Sequence, residues 1–323
     1  MAPSTDGPWR LTWRRLRRDR AALAGGLVFA LIALACLAAP LWARHVAGTG
    51  PEENHLTERV VVDGVPTDVV DLRGTPIGPT WSGRFFLGAD SNGRDVMVRL
   101  LYGGRNSLLV GLAAALGTIA VGLLLGLLAG YHRGRLDAVV RWALDVIWSL
   151  PVVLVGVALG TALALGGLEL GPLRIGADSL AIPILVIAVV YVPYLARPVR
   201  ARALALRERE FVEAARAQGM GTARIVFTEV LPNVAPTLVV FLPLLVANAI
   251  LLEAALSFLG AGVRPPAPSW GTMIAEGEDL IVSAPHLTVV PGLMLVATVL
   301  SLNLLGEGVR DALDPRAKVR IGR

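Results

Sequence analysis

Three carboxylic acids lie within or at the edge of long apolar stretches of the sequence, where an unpaired charge is costly. They are Asp145, Glu253 and Glu307. In a helix that crosses a bilayer, such a group either hydrogen-bonds a neighbouring helix or lines a translocation pathway, and both interpretations stay open for Glu253. Asp145 is a second candidate for a polar role of this kind. Asp145 and Glu307 are near the ends of their stretches, where water can solvate them.

Other familiar arrangements of reactive residues are incomplete. The acidic turn from Asp90 to Asp95 looks like a calcium loop, but its glycine comes too early and no glutamate follows at the required distance. No catalytic GxSxG and no phosphate-binding GxxxxGK[ST] pattern occurs. The histidines have no paired spacing for zinc. They are His45, His55, His132 and His286. We therefore predict no catalytic residue, metal site or cofactor in this chain.

The composition indicates an integral membrane protein. Of the 323 residues, 54% are hydrophobic and only 17% are charged, against roughly 25% in a soluble domain. This balance is the opposite of a disordered chain, and the single cysteine, Cys36, excludes a disulfide framework within the chain. The basic residues form short clusters between apolar runs, which argues against nucleic-acid binding.

Six apolar stretches are long enough, or nearly so, to cross a bilayer core, which takes roughly 20 helical residues. They are 21–43, 107–131, 146–168, 179–196, 230–252 and 280–306. The third helix is expected to begin about a turn earlier and so to include Asp145. Prolines inside the stretches predict kinks, and they are Pro151, Pro183, Pro193, Pro243 and Pro291. The sequence predicts an all-α polytopic membrane protein with six transmembrane helices.

Arginine accumulates on one side of this arrangement. Four connecting segments have net charges of +4, +2, +3 and +3, and they are 1–20, 132–141, 197–229 and 310–323. Three alternate segments have −2, −1 and −2, and they are 44–103, 169–178 and 260–279. Since positive loops stay in the cytoplasm, both termini are expected there. The first stretch is too long for a signal peptide and is read as an uncleaved anchor.

The chain is therefore divided into five parts. The first are a cytoplasmic segment (1–20) and the first transmembrane helix (21–43). The long 44–103 connection is expected to form an external segment or small subdomain. A five-helix core (104–309) then contains the cytoplasmic loop 197–229, and a cytoplasmic tail (310–323) follows.

The loop contains a predicted helix–turn–helix at 206–229, hereafter the bracket. Good helix formers run from Glu208 to Gln218, and Gly219-Met220-Gly221 supplies a stop. Thr222 is expected to cap a second short helix from Ala223 to Glu229. A stripe of mostly small residues is predicted to face a partner, and it consists of Phe211, Ala214, Ala215 and Gln218. The alternative is an amphipathic helix lying on the lipid surface.

These residues carry a family resemblance. Glu213-Ala214-Ala215, Gly219 and Leu231-Pro232 resemble the EAA signature of the membrane subunits of ABC importers. Three further motifs are similar to the dipeptide/oligopeptide/nickel permease family, in the family's order. They are the run from Leu87 to Asp95, the runs Leu256–Gly260 and Pro265–Gly271, and the C-terminal Asn303–Gly306 with Arg310–Arg316. The long connection between the first two spans resembles the C-type permease of that family.

The resemblance implies a type I-like ABC importer permease in the cell membrane of a prokaryote. It implies that Glu213, Ala214, Ala215 and Gly219 couple the chain to a cytoplasmic ATPase. The implied partners are a second homologous permease, two ATPase subunits that bind ATP and Mg, and an external solute-binding protein. Peptides are the implied cargo, with nickel complexes as the alternative. From the residues alone, an ion-coupled secondary transporter and a membrane-anchored enzyme are the rival classes, although no inverted repeat is evident.

Overall fold

The computed structural model describes residues 8–62, 64–170 and 173–313. The termini, including the Asp314-Pro315-Arg316 part of the C-terminal motif, lie outside the described residues. The described chain is mostly helical, as predicted, with two short hairpins. Five of its described helices are long and apolar enough to cross a membrane, and a bent pair would make a sixth.

The N-terminal part consists of α1 (Pro8–Leu16), α2 (Arg20–Leu37) and the short α3 (Ala39–Trp42), which continues into a π-helical turn. The Asp19 carboxylate caps α2 by accepting hydrogen bonds from the amides of Ala21 (2.9 Å) and Ala22 (3.1 Å). The predicted first span is thus interrupted at Ala38, which separates α2 from α3. Pro40, at the start of α3, lacks the amide needed to continue the hydrogen bonding of α2.

The 44–103 connection contains the antiparallel hairpin β1 (Arg59–Val62) and β2 (Val65–Asp68). A small apolar cluster follows it, formed by Val69, Phe85 and Ala89, all completely buried. The connection is therefore an ordered unit with its own small core.

The third predicted span, 146–168, is not one helix. The structure has α5 (Gly134–Trp148) and α6 (Val152–Gly166), bent by 89° at the residues between them. Pro151 explains the break, because proline removes an amide donor and keeps the preceding residue out of the α region. The kink predicted at Pro151 is confirmed as a complete break. A second hairpin, β3 (Leu168–Leu170) and β4 (Leu173–Ile175), follows α6.

Four longer helices complete the core, namely α4 (Val96–His132), α7 (Ala181–Arg207), α10 (Leu231–Phe258) and α12 (His286–Leu313). Helices α4 and α7 pack closely through glycine: a Cβ at Gly130 would lie 2.6 Å from the Arg200 carbonyl oxygen. The short helices α8 (Glu210–Ala217) and α9 (Thr222–Ile225) lie between α7 and α10, and α11 (Trp270–Gly277) lies between α10 and α12. Helix α12 begins six residues later than the predicted 280, after a 3₁₀ turn and Pro285.

Candidate functional site

The first arm of the bracket is α8, which packs one side against its own chain and exposes the other. Val212 and Ala215 are buried in the main apolar cluster. Glu213 and Ala214, two residues of the EAA-like motif, are exposed. The exposed side also includes Glu210 and Ala217, so it combines small side chains with carboxylates. A partner chain can approach such a surface closely.

The predicted stripe on α8 is only partly correct. Phe211, Ala214 and Gln218 are exposed, but Ala215 turns inward and is only 5% exposed. The pattern alone could not separate the two faces, because small apolar residues suit both a packed core and a docking surface. The candidate coupling residues thus divide into one that positions α8 and three that remain accessible.

The turn of the bracket has the geometry that the sequence predicts. Gly219 has a φ of +78°, a left-handed conformation that glycine adopts without strain. Its amide donates to the Arg216 carbonyl (2.9 Å), and the Met220 amide donates to the Ala215 carbonyl (3.1 Å). This pair of bonds is a Schellman motif, which ends α8 sharply and directs the chain into the second arm.

The second arm differs from the prediction at its start. Gly221, with φ −65° and ψ 151°, is the N-cap of α9, and no side chain caps this helix. Thr222 is the first residue inside α9. The predicted cap at Thr222 is therefore wrong. Helix α9 continues through a π-helical turn (Val226–Val230) directly into α10. The arm and the predicted fifth span are one uninterrupted helical segment.

An aromatic side chain that sequence reasoning missed fixes the bracket to the core. Tyr131, near the end of α4, is buried between two arginines. The guanidinium of Arg207 lies over the Tyr131 ring at 5.7 Å and donates to the Tyr131 carbonyl at 2.7 Å. The guanidinium of Arg216, on α8, lies over the same ring at 5.5 Å. One tyrosine thus connects α4, α7 and α8.

Two ion pairs surround this anchor. Arg133, at the turn between α4 and α5, pairs with Glu208 at the start of the bracket. Asp137 of α5 accepts two bonds from Arg200 of α7, at 2.5 and 2.8 Å. No local pattern could reveal these pairs, because the partners are separated by more than 60 residues in sequence.

The carboxylates predicted as polar candidates lie apart from the bracket. Glu253 is completely buried, and its Oε1 accepts a hydrogen bond from Ser257 at 2.7 Å. Ser107 of α4 and Ser269 before α11 are neighbours of the same carboxyl group. Glu253 is thus enclosed where α4, α10 and α11 meet.

Asp145 is exposed and pairs with Arg197 at 2.8 Å. Arg197 also lies over the Trp148 ring at 4.8 Å. Glu307 is exposed near the end of α12. Within the described ranges, no group of three or more His, Cys, Asp or Glu side chains could hold a metal ion.

The acidic turn at 90–95 is part of a buried ionic cluster. Asp90 pairs with Arg94 at 2.7 Å and with Arg99 at 3.2 Å, and Glu276 of α11 pairs with both arginines at 2.8 and 2.7 Å. We call these four residues the arginine cluster. They join the turn before α4, which belongs to one motif of the family resemblance, to the C-terminal part of α11. Since arginines neutralise the Asp90 carboxylate, the cluster serves packing rather than calcium binding.

Comparisons with known proteins show the family to which the chain is similar. Residues 122–319 match the family described as binding-protein-dependent transport system inner membrane component. Residues 7–56 match the N-terminal TM domain of oligopeptide transport permease C. The chain is also similar to a chain in a solved structure titled "Inward facing conformations of the MetNI methionine ABC transporter". The TM-score is 0.53 at 21% identity, over 67% of this chain and 97% of that one. This likeness concerns the fold alone.

Relatives of known name match nearly the whole chain. The glutathione transport system permease protein GsiD of Pectobacterium atrosepticum is 35% identical over 96% of this chain and 92% of the relative. The di/tripeptide transport system permease protein DppC of Pseudomonas aeruginosa is 37% identical over 98% and 97%. The dipeptide permease DppC of Alkalihalophilus pseudofirmus is 35% identical over 96% and 91%. The chain is therefore a multi-pass membrane protein that belongs to the family of binding-protein-dependent transport system inner membrane components.

Proposed function

We propose that this chain is one permease subunit of an ABC importer for short peptides and that the bracket is its docking site for a cytoplasmic ATPase. The observation that carries the docking role is the geometry of α8. Its small, exposed face is fixed from behind by Val212 and Ala215, and it ends at a rigid turn that leads without interruption into α10. A force applied to α8 would reach the membrane-spanning helices through this path.

The chain contributes no bond chemistry to this function. The family carries out transport with a partner ATPase and a solute-binding protein, and the sequence lacks a phosphate-binding loop. We therefore assign ATP and Mg to two ATPase subunits. A second homologous permease completes the pathway. Closure of the ATPases on ATP would favour one of two packings of the spans over the other.

Short peptides are the cargo that the names of the relatives favour. The spans count against a dedicated nickel site, because they offer mostly Leu, Val, Ala and Gly rather than clustered metal ligands. The test is uptake by the complex reconstituted with its own binding protein. Labelled di- and tripeptides should be transported. Transport of chelated nickel without any peptide would contradict the cargo but leave the importer architecture intact.

Two prolines, two residues apart, test the docking role. Gly219→Pro cannot adopt φ +78° and lacks the amide that donates to Arg216. Since such a misfit costs on the order of 1–3 kcal/mol, uptake should fall by roughly tenfold. Gly221→Pro is the matched control, because Gly221 already has the φ of −65° that proline imposes. Both variants should be purified at the normal level, and binding of the ATPase should be measured beside uptake.

Normal uptake and ATPase binding in Gly219→Pro would contradict the docking role. An equal loss in both variants would show sensitivity to any proline in the turn rather than to its left-handed residue, and would also count against it.

The orientation, with both termini in the cytoplasm, is part of the proposal and depends on the arginine asymmetry. Cysteines at exposed Val61 and Ala214, in a Cys36→Ser background, would test it. A membrane-impermeant maleimide on intact cells should label position 61 and spare position 214. The reverse labelling would overturn the orientation.

A further inference from the structure

An apolar groove runs between α2, α4, α10 and α12, away from the bracket. Its volume is about 610 Å³, which is within the range of roughly 300–1,000 Å³ typical of small-molecule sites. Its walls are largely aliphatic and aromatic. They include Phe29, Cys36, Leu109, Leu112, Leu242 and Leu302.

Arg105 is the exception among the residues that line the groove. Its side chain is exposed, and no acidic partner pairs with it among the described residues. The next residue, Asn106, donates at 2.7 Å to the carbonyl of Pro268, in the connection before α11. This contact places Arg105 at the end of the groove near that connection, two residues before the predicted span that begins at residue 107.

An unpaired guanidinium at the end of an apolar groove constrains the ligand. The ligand needs an anionic group at one end, because arginine binds phosphate and carboxylate through its fork of donors. It needs a long apolar part, since the walls offer little to hydrogen-bond a polar backbone and unpaired polar groups would be costly there. A peptide fails the second condition. An anionic phospholipid meets both.

The groove also opens onto an exposed apolar surface. Leu37 on α2 and Leu109 on α4 are 66% and 51% exposed, so the helices that form the groove present apolar side chains to the surroundings. We propose that the groove binds an anionic phospholipid, with an acyl chain along the apolar walls and the phosphate on Arg105. The site would connect α2 to the core helices α4, α10 and α12 through a bound lipid.

The experiment uses the purified complex in nanodiscs that contain a trace of a photoactivatable phospholipid with a diazirine on its acyl chain. One version is phosphatidylglycerol, which is anionic, and the other is phosphatidylcholine, which is zwitterionic. Cross-linked residues are mapped by peptide mass spectrometry. In the wild type, phosphatidylglycerol should label groove residues more strongly than phosphatidylcholine does.

Two variants and two matched controls sharpen the test. Arg105→Gln should reduce labelling by phosphatidylglycerol roughly fivefold and should reduce labelling by phosphatidylcholine less, because the choline cation offsets the charge of its phosphate. Ala33→Phe should fill the groove, which Ala33 lines, and reduce both. Arg44→Gln removes an exposed arginine outside this groove, and Ala35→Phe enlarges an exposed residue of α2 that does not line it. Neither control should change the labelling.

Equal labelling of the wild type and Arg105→Gln by phosphatidylglycerol would overturn the proposal. Labelling unaffected by Ala33→Phe would overturn it as well. A disulfide between Leu109→Cys and a cysteine in the second permease would show that the groove is a subunit interface, which also contradicts lipid binding. None of these results depends on peptide uptake, so the lipid site can fail while the proposed function stands.

Discussion

The two ends of α4 are fixed in opposite ways. At its start, the arginine cluster holds Arg99 with only 1% of its side chain exposed, and Glu276 with 23%. At its end, Arg133 and Glu208 pair across the base of the bracket with 47% and 65% of their side chains exposed. Both places join distant parts of the chain by charge, but only the first removes that charge from water.

This difference in burial indicates different roles. A buried guanidinium without its carboxylates would be strongly destabilising, so the cluster specifies one arrangement of α4, α11 and the 44–103 connection. An exposed ion pair contributes little and can re-form in another geometry. The ion pairs of the cluster are built to stay fixed, whereas the ion pair at the bracket can re-form while Tyr131 keeps α8 anchored. Helix α4, at 37 residues, separates these ends by about 55 Å.

The largest loss of stability is expected for Arg99→Ala, in the arginine cluster. The variant leaves Glu276 and Asp90 short of a buried partner, and we expect a loss of about 3–5 kcal/mol. Thermal unfolding of the purified complex would measure it. Arg174→Ala is the control, because Arg174 and its partner Glu169 are both exposed, 3.6 Å apart. An unfolding temperature for Arg99→Ala equal to that of the control would contradict a fixing role for the cluster.

Removal of the tyrosine anchor should have the next largest effect. Tyr131→Ala takes a buried ring from between Arg207 and Arg216, and large aromatic truncations cost roughly 3 kcal/mol or more. The loss is confined to the base of the bracket, so we expect assembly of the complex to persist while ATP hydrolysis no longer drives uptake. The measurement is the ratio of peptide transported to ATP hydrolysed.

Tyr131→Phe separates the ring from its hydroxyl. The hydroxyl has only a long contact of 3.4 Å with Arg216, so this variant should behave like the wild type. If Tyr131→Phe lost coupling as fully as Tyr131→Ala, the ring would not be the anchor.

The sequence predicted local features of the molecule better than contacts between distant residues, for a physical reason. The turn at Gly219 is local, so a short pattern specifies it, and the structure has that turn. The arginine cluster and the Tyr131 anchor depend on contacts between residues far apart in sequence, which no window of neighbouring residues contains. The break at Pro151 lies between these cases: proline predicted a kink, but the 89° angle depends on how α5 and α6 pack. The prediction that Ala215 faces a partner was wrong because a small residue suits both the buried and the exposed face of α8.

A smaller change in unfolding free energy is expected for variants of Glu253. They compare a buried carboxyl group held by hydroxyl groups with the buried ion pairs of the arginine cluster. Glu253 is completely buried beside serine hydroxyls rather than an arginine. Glu253→Gln keeps the shape and the acceptor for Ser257, so the unfolding free energy should change by less than about 1 kcal/mol, and uptake should persist. Glu253→Leu, which leaves Ser257 without its acceptor, should cost more. Abolished uptake in a stable Glu253→Gln variant would indicate a direct role in translocation.

The smallest change in stability is expected for the exposed ion pair at the bracket, Arg133 with Glu208. A double-mutant cycle with Arg133→Gln and Glu208→Gln should give a coupling energy of about 0–1 kcal/mol in thermal unfolding. The value should decrease further at high salt, because solvent screens both charges. Exchange of the two residues, Arg133→Glu with Glu208→Arg, should retain uptake, since either polarity can bridge the same turn. A coupling energy as large as the loss in Arg99→Ala would mean that charge fixes both ends of α4 equally, and would contradict the contrast between a buried cluster and an exposed pair.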